Sequence, residues 1–317
     1  MLDDAPIPPL PERPSDGHKG TFGTVGVVGG FCAADQPTML GGPCLSAIGA
    51  LRAGAGLCRL ALPESLLAHG LTIAPSATGV ALPVDHERAL IAHASCARLD
   101  ELLGSCACVA IGPGLGSGDG ARALSLRAVN QDETPIVVDA DAIKALSELP
   151  EVAKDVRAPA IFTPHPGEYR GLAATLGIDA DPVDEEARPA ACEAMARQFG
   201  CVVVLKGAGT IVSDGLRTWR CDAREPALAT AGTGDVLTGL LAGLVAQHHR
   251  APIVAGERTV TSERLGGLSL YDIARIGVRA HAQSAALWRE RTGATHGLLA
   301  EELAELIPRA LATLDSE

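Results

Sequence analysis

Apolar residues gather along the chain in two kinds of run that take turns. Short, almost wholly apolar stretches rich in Val, Ile and Leu occupy residues 24–28, 57–62, 107–111, 135–138, 160–162 and 201–205. Such runs read as strands buried on both faces, the pattern of a parallel sheet covered by helices. Between them, apolar positions recur every three or four residues over 42–52, 64–69, about 85–103, 121–129, 185–199, 236–244, 271–289 and 298–314. This is helical spacing. Two short runs, 211–213 and 218–220, meet across Asp214 and Gly215 and predict a β-hairpin.

Strand and helix alternate with no long linker, internal repeat or low-complexity segment. The pattern predicts one α/β domain over residues 18–317, three layers deep, with a mostly parallel central sheet. Ahead of it, residues 1–17 predict an extended arm, since five of the first sixteen are prolines. Residues 250–267 form a polar insertion to which the sequence assigns no role.

Composition narrows the chemistry. At 317 residues and 47% hydrophobic, the chain can bury a large core. A net charge of −12 and 3% aromatics argue against a nucleic-acid partner, which would need cations or stacking platforms. Nine cysteines lie singly in apolar surroundings and offer no Cys-x-x-Cys zinc spacing, so they read as reduced core residues. The acidic, proline-rich start is unlike a signal peptide, and no apolar run reaches membrane-spanning length. A cytoplasmic protein without membrane partners is the expectation.

The stretch that concentrates candidate chemistry is ATAGTGDVLTGLLAGL, residues 229–244. Gly232, Thr233 and Gly234 form a turn that delivers Asp235 to the first turn of an apolar helix. Unpaired N–H groups at such a helix start hold anions, and glycines let a phosphate come close. A carboxylate beside a phosphate is repulsive unless it does chemistry or binds a cation. Asp235 is therefore either a general base for a hydroxyl attacking phosphorus or a plain helix cap.

Other candidates lie at strand ends. GPGLGSGDG, residues 112–120, follows a strand and fits neither a dinucleotide fingerprint nor a Walker loop. Asp139 and Asp141 are expected to cap the following helix or hold a cation. His165, clamped between two prolines, is expected to point outward as a structural or ligand-contacting residue, with Glu168 near the next helix start. Lys206, at the end of an apolar strand, needs a partner, and a nucleotide phosphate is the expected one.

Seven separated segments agree in order with one family: HKGTFGTVGVVGG, GGPCLSAIGALRAGAGL, AIGPGLG, VVDADAI, FTPHPGE, VLKGAGTIV and ATAGTGDVLTG. From about residue 18 to about 308 the chain resembles the ADP/ATP-dependent NAD(P)H-hydrate dehydratases of the ribokinase-like superfamily. The resemblance implies a ribokinase-like fold that repairs hydrated NADH or NADPH in the S form. A phosphoryl group from ADP or ATP, with Mg²⁺, would pass to the ring hydroxyl and then leave as phosphate. It implies adenine-nucleotide contacts at Lys206, Gly207, Ala208, Gly209, Thr210, Gly232, Thr233 and Gly234. It implies substrate contacts at Gly42, Gly114, His165 and Asp235, the last being catalytic. Asp139, Asp141 and Glu168 remain the metal candidates, and a homo-oligomer is implied. Relatives commonly carry alanine where this chain has Gly42, and Gly-Asn where it has Arg224 and Glu225. The epimerase domain fused to some relatives has no counterpart in this sequence. The other readings are a ribokinase-like small-molecule kinase and a nucleotide-binding protein without catalysis.

Overall fold

A computed structural model describes residues 2–250, 253–255, 258–260 and 267–314. From the amino end, β1 (Thr24–Val28) leads into α1 (Gly41–Arg52), β2 (Leu57–Pro63) into α2 (Glu64–Ile73), and β3 (Thr78–Leu82) into α3 (Ala92–Leu103). The alternation continues through β4 (Cys108–Ile111), α4 (Asp119–Val129), β5 (Ile136–Val138), α5 (Ala140–Ser147), β6 (Ala160–Phe162) and α6 (Pro166–Leu176). Next come α7 (Arg188–Phe199), β7 (Val202–Leu205), the hairpin strands β8 (Ile211–Ser213) and β9 (Thr218–Arg220), and α8 (Thr233–His248). An antiparallel pair, β10 (Ile253–Ala255) with β11 (Arg258–Val260), precedes α9 (Leu270–Thr292) and α10 (Ala300–Leu314). The rest of the 250–267 insertion lies outside the described residues.

β1 to β9 form one sheet in the order β3-β2-β1-β4-β5-β6-β7-β8-β9. Pairing is parallel from β3 to β7 and antiparallel through β8 and β9. Alternation along each strand feeds two cores. Val25, Val27, Ala110, Val137, Ile161 and Val204 face the layer that holds α1, α8, α9 and α10. Val28, Ile111, Val138, Phe162, Val203 and Leu205 face α3 to α7. The three-layer expectation is met, and so is the apolar character of strands covered on both faces.

Strand order reverses at β1, whose neighbours are β2 and β4. Ligands of open α/β sheets bind beside the carboxyl ends of strands at such a switch point. The loops after β1, β4, β5, β6 and β7 all leave from that edge. Helix α8 lies across the same region, apolar nearly all round because it is sandwiched between the sheet, α1 and α9. It can approach α1 closely because Gly239 lacks a side chain, since a β-carbon there would come within 2.0 Å of the Ser46 carbonyl oxygen. Ser46 also donates its hydroxyl to the Asp235 carbonyl at 2.8 Å, fixing the start of α8 against the middle of α1.

The amino-terminal arm is extended, as its prolines predict, and it is strapped down. Asp3 N–H donates to the Thr218 carbonyl at 2.7 Å, covering the open edge of β9. Tyr271 donates to Asp3, Arg275 to the Ala5 carbonyl, and Arg13 to Gln247.

Two expectations need correction. No strand is expected at β3, a strand at the sheet margin of whose five residues only Leu82 is buried and one is a glycine, leaving a weak apolar signal. The helix expected from about residue 85 begins only at Ala92. Asp85 Oδ1 accepts the N–H groups of Glu87 and Ala89, closing a local turn in which Arg88 has φ 63°.

Candidate functional site

Gly232 is the hinge of the helix start singled out in the sequence. Its φ of 89° lies in the left-handed region, where a side chain is strained, and a β-carbon would lie 2.7 Å from Leu45 Cδ1. Gly232→Ala is expected to cost about 1–2 kcal/mol and to weaken nucleotide binding by misplacing the turn. Denaturant unfolding and a nucleotide titration check this. An unchanged midpoint would mean that the turn tolerates a side chain. Thr233 spends its hydroxyl on the carbonyls of Leu228 and Thr230, both at 2.9 Å. It therefore shapes the turn, and the open groups are the N–H donors of Gly234 and Asp235, which helix geometry leaves without intrahelical acceptors.

Asp235 is half-buried at this helix start. Burial first, and then the nearby Asp139, push its carboxyl pKa up to about 7. Lys206 opposes the rise, and Asp141 and Glu168 add to it. Asp139, Glu168 and Asp235 thus share the Lys206 ammonium group, while Lys144 acts on Asp141. Gly42 faces Asp235 so closely that a β-carbon would lie 2.9 Å from Oδ1. The glycine leaves the carboxyl group room to move.

Lys206 has protein partners in place, beside which a nucleotide phosphate would be a further one. Its Nζ donates to Asp139 Oδ1 at 2.7 Å and lies 3.7 Å from Glu168 Oε2. Burial disfavours the ammonium, but Asp139 and then Glu168 more than offset that and raise its pKa. Asp139 is 2% exposed and also accepts hydroxyl protons from Thr163 (2.7 Å) and Thr238 (2.7 Å). Burial opposes its charge, yet Lys206 and the two threonines hold its pKa below the usual range.

Asp139 therefore corrects the capping expectation. It sits at the position before α5 but makes no capping bond, because both oxygens are drawn across the sheet edge. Asp141 accepts the Gly116 N–H at 2.8 Å and so anchors the glycine-rich loop after β4. Gly114 in that loop has φ 57° and packs near Met39, just before α1. Burial raises the pKa of both Asp141 and Glu168.

His165 lies at the expected strand end, with a structural duty. Its Nδ1 accepts N–H bonds from Gly167 (2.9 Å) and Glu168 (3.2 Å), while Glu168 Oε2 accepts the His165 N–H at 2.7 Å. This reciprocal cap starts α6. Nε2 remains near the surface, 3.4 Å from Glu168 Oε1. Glu168 thus links His165 to Lys206, and both Glu168 and Lys206 act on the charge of Asp235.

A cavity of about 360 Å³ opens beside this group. Lys206, Gly207, Ala208 and Thr210 line one side, and Thr233 and Gly234 the other. Gly209 lies just outside it, in the wall of a neighbouring cavity. Sequence reasoning missed several wall residues. Glu225 lines the cavity and is held by Arg289 at 2.9 and 3.2 Å, while Arg224 is paired with Glu185. His281 is buried and pushed down to about 4 by that burial. It is therefore neutral at pH 7 and donates from Nε2 to the Thr233 carbonyl at 2.8 Å. Its one signal is a polar residue at an apolar position of α9, where Arg275 and Ser284 are buried as well.

Among the described residues no helix is long and apolar enough to cross a membrane. Residues 25–309 match the family model described as NAD(P)H-hydrate dehydratase. The bifunctional NAD(P)H-hydrate repair enzyme of Salinibacter ruber is 35% identical over 284 residues, covering 87% of this chain and 46% of that protein. The chain thus spans about half the length of the curated relatives it matches. ADP/ATP-dependent NAD(P)H-hydrate dehydratase from Bacillus subtilis, co-crystallised with ATP and Mg²⁺, superposes with a TM-score of 0.74 at 25% identity, covering 96% and 95% of the two chains. A ribokinase-like superfamily protein from Enterococcus faecalis gives 0.71 at 21% identity over 96% and 92%, which establishes the shared fold. Ribokinase-like in fold and matched from Val25 to Arg309, the chain belongs to the NAD(P)H-hydrate dehydratase family.

Proposed function

We propose that the chain restores hydrated NADH or NADPH, in the S form, to the reduced dinucleotide at the expense of ADP or ATP. One observation carries this reading: a carboxyl group with its pKa near 7 stands at an open helix start, beside a cavity flanked by two glycine turns. A base poised near neutrality accepts a proton readily at working pH.

In the proposed reaction Asp235 takes the proton of the ring hydroxyl as its oxygen bonds to the terminal phosphorus. The bond from that phosphorus to the leaving nucleotide breaks. The N–H groups of Gly234 and Asp235, at the positive end of α8, offset charge on the phosphoryl oxygens. Loss of phosphate from the ring, with a proton from the adjacent carbon, then re-forms the double bond. Gly42, Gly114 and the exposed edge of His165 would border the dinucleotide, while residues 206–210 and 232–234 border the nucleotide.

Mg²⁺ fits the chemistry of the group. All the donors are oxygens, which suit a hard cation, and burial first, with Asp139 adding to it, raises the pKa of Asp141, Glu168 and Asp235, a cost to their ionised forms that a cation would offset. Among the described residues no three side chains gather to hold an ion alone. The ion would be held mainly through phosphates and water, with Asp141 or Glu168 as the protein's contribution, and would neutralise phosphate charge when bound.

The test is recovery of reduced-nicotinamide absorbance when the protein meets hydrated NADH, Mg²⁺ and ADP or ATP. A stable phosphorylated product would make it a kinase instead, and nucleotide binding without turnover would leave a binding protein. Lys206→Ala is expected to raise the KM for nucleotide by roughly 10- to 100-fold, the loss of one charge-assisted contact. An unmoved KM would remove Lys206 from the nucleotide site. The continuous nine-stranded sheet supports reading residues 18–317 as one domain. Nine free cysteines agree with a cytoplasmic location. Assembly into a homo-oligomer rests on the family resemblance, and sedimentation measures it.

A further inference from the structure

A second cavity, of about 330 Å³, lies on the other side of the turn that follows β7. Gly207, Ala208 and Arg224 border both cavities. Three guanidinium groups line the second one, Arg188, Arg220 and Arg224, with Glu185 on the same wall and Asp222 outside it, where Asp222 accepts from Arg220 Nε at 3.0 Å. In a chain with a net charge of −12 this is a local concentration of positive charge.

Arg188 is 8% exposed. Its Nη1 donates to the Ala208 carbonyl at 2.8 Å, and its Nη2 donates to those of Leu205 (3.1 Å) and Lys206 (3.2 Å). Its Nε is buried with no partner among the described residues. A buried arginine is normally matched by a carboxylate, and here carbonyls alone hold it. Glu185 bridges the two outer arginines, paired with Arg224 and 3.9 Å from Arg220 Nη1. An oxyanion therefore already fits between these guanidinium groups, on a side chain that is 61% exposed and free to swing away. Pro166 on the wall puts the cavity one residue from His165. Arg188, Arg220 and Glu185 have no part in the reaction proposed at Asp235.

We propose that this cavity is a second anion site, which takes a phosphoryl group displacing Glu185 from Arg220 and Arg224. Guanidinium forks match the oxygens of a phosphate monoester, and the buried Arg188 adds positive charge from behind. The group is either a phosphate borne by the dinucleotide, which rests on the function proposed above, or free inorganic phosphate, which does not.

The probe is inorganic phosphate, titrated calorimetrically into the full chain with saturating ADP to occupy the larger cavity. Arg220→Gln, which alters only the second cavity, is expected to weaken phosphate about fivefold or more. Glu185→Gln is expected to tighten it, since it removes the competing carboxylate. A purely structural role would not give opposite signs. In parallel, the KM values for hydrated NADPH and hydrated NADH are compared. A rise in Arg220→Gln confined to the 2′-phosphorylated form assigns the site to the substrate, whereas a change in phosphate affinity alone assigns it to the free anion. Phosphate affinity and both KM values equal to wild type in both variants would overturn the proposal. A change confined to the KM for ADP or ATP would overturn it too, by merging the cavity with the nucleotide site. Absence of turnover in a wild-type chain that still binds phosphate with these signs would sink the proposed function and leave the anion site standing.

Discussion

Asp235→Asn is expected to lower turnover of hydrated NADH by about 10²- to 10⁴-fold, the usual contribution of a positioned general base, with nucleotide affinity nearly unchanged. The amide keeps the shape of the carboxyl group, and the space left by Gly42 accommodates it. It keeps no site for the proton. The N–H groups at the start of α8 are untouched, so an ADP titration should match wild type.

The pH dependence carries the same argument. Burial and Asp139 push the Asp235 carboxyl up to about 7, so the ionised, proton-accepting form predominates only above that value. In wild type kcat/KM should rise with pH through about 7 and then level off. The residual activity of Asp235→Asn should lack that rise. A midpoint near 4, where an unperturbed aspartate titrates, or near-normal turnover in the variant, would take Asp235 out of the base role.

The largest loss of stability is expected from Asp139→Ala, at about 3–5 kcal/mol by denaturant unfolding at pH 7, the cost of breaking a buried ion pair from one side. The substitution leaves the Lys206 ammonium without its nearest counter-charge and the Thr163 and Thr238 hydroxyls without their acceptor. The sign with pH follows from direction. Because the folded-state pKa of Asp139 lies below its ordinary value, its contribution is complete above that value and is lost as pH falls through the folded pKa. The deficit of the variant is therefore fully developed at neutral pH and shrinks in acid. Asp139→Asn adds a functional readout. Asp139 raises the pKa of Asp235 and Lys206 lowers it, so removing only the charge should move the kcat/KM midpoint to lower pH. Wild-type stability in Asp139→Ala, or an unmoved midpoint in Asp139→Asn, would show that Asp139, Lys206 and Asp235 do not act as one electrostatic unit.

Much of this molecule could be read from residue order. Apolar runs such as 136–138 and 202–205 specify strands because a parallel strand buried on both faces has no polar side to show. The Gly232 to Asp235 segment announced a helix start with exposed donors because glycine, threonine and aspartate have distinct backbone roles within a single turn. β3 escaped notice because a half-exposed strand at the margin buries little and so carries little pattern.

Partnerships at the site belong to another scale. Asp139 meets Lys206 across 67 positions of sequence and Thr238 across 99. These meetings exist only because β5, β6 and β7 lie side by side and α8 packs across β1, β4 and β5. A strand end before a helix looks like a cap until the strand order supplies a buried cation, and charge then outweighs a capping bond. His165 went the other way, since Gly167 and Glu168, two and three residues on, offered the N–H groups that its ring accepts. The sequence by itself determined the strands, the helices and the Gly-Thr-Gly-Asp turn, because hydrophobic period and backbone preference are local properties. Only the tertiary structure decided which acid holds Lys206 and which is left poised near neutrality, because desolvation and Coulomb energy depend on distances that chain order does not contain.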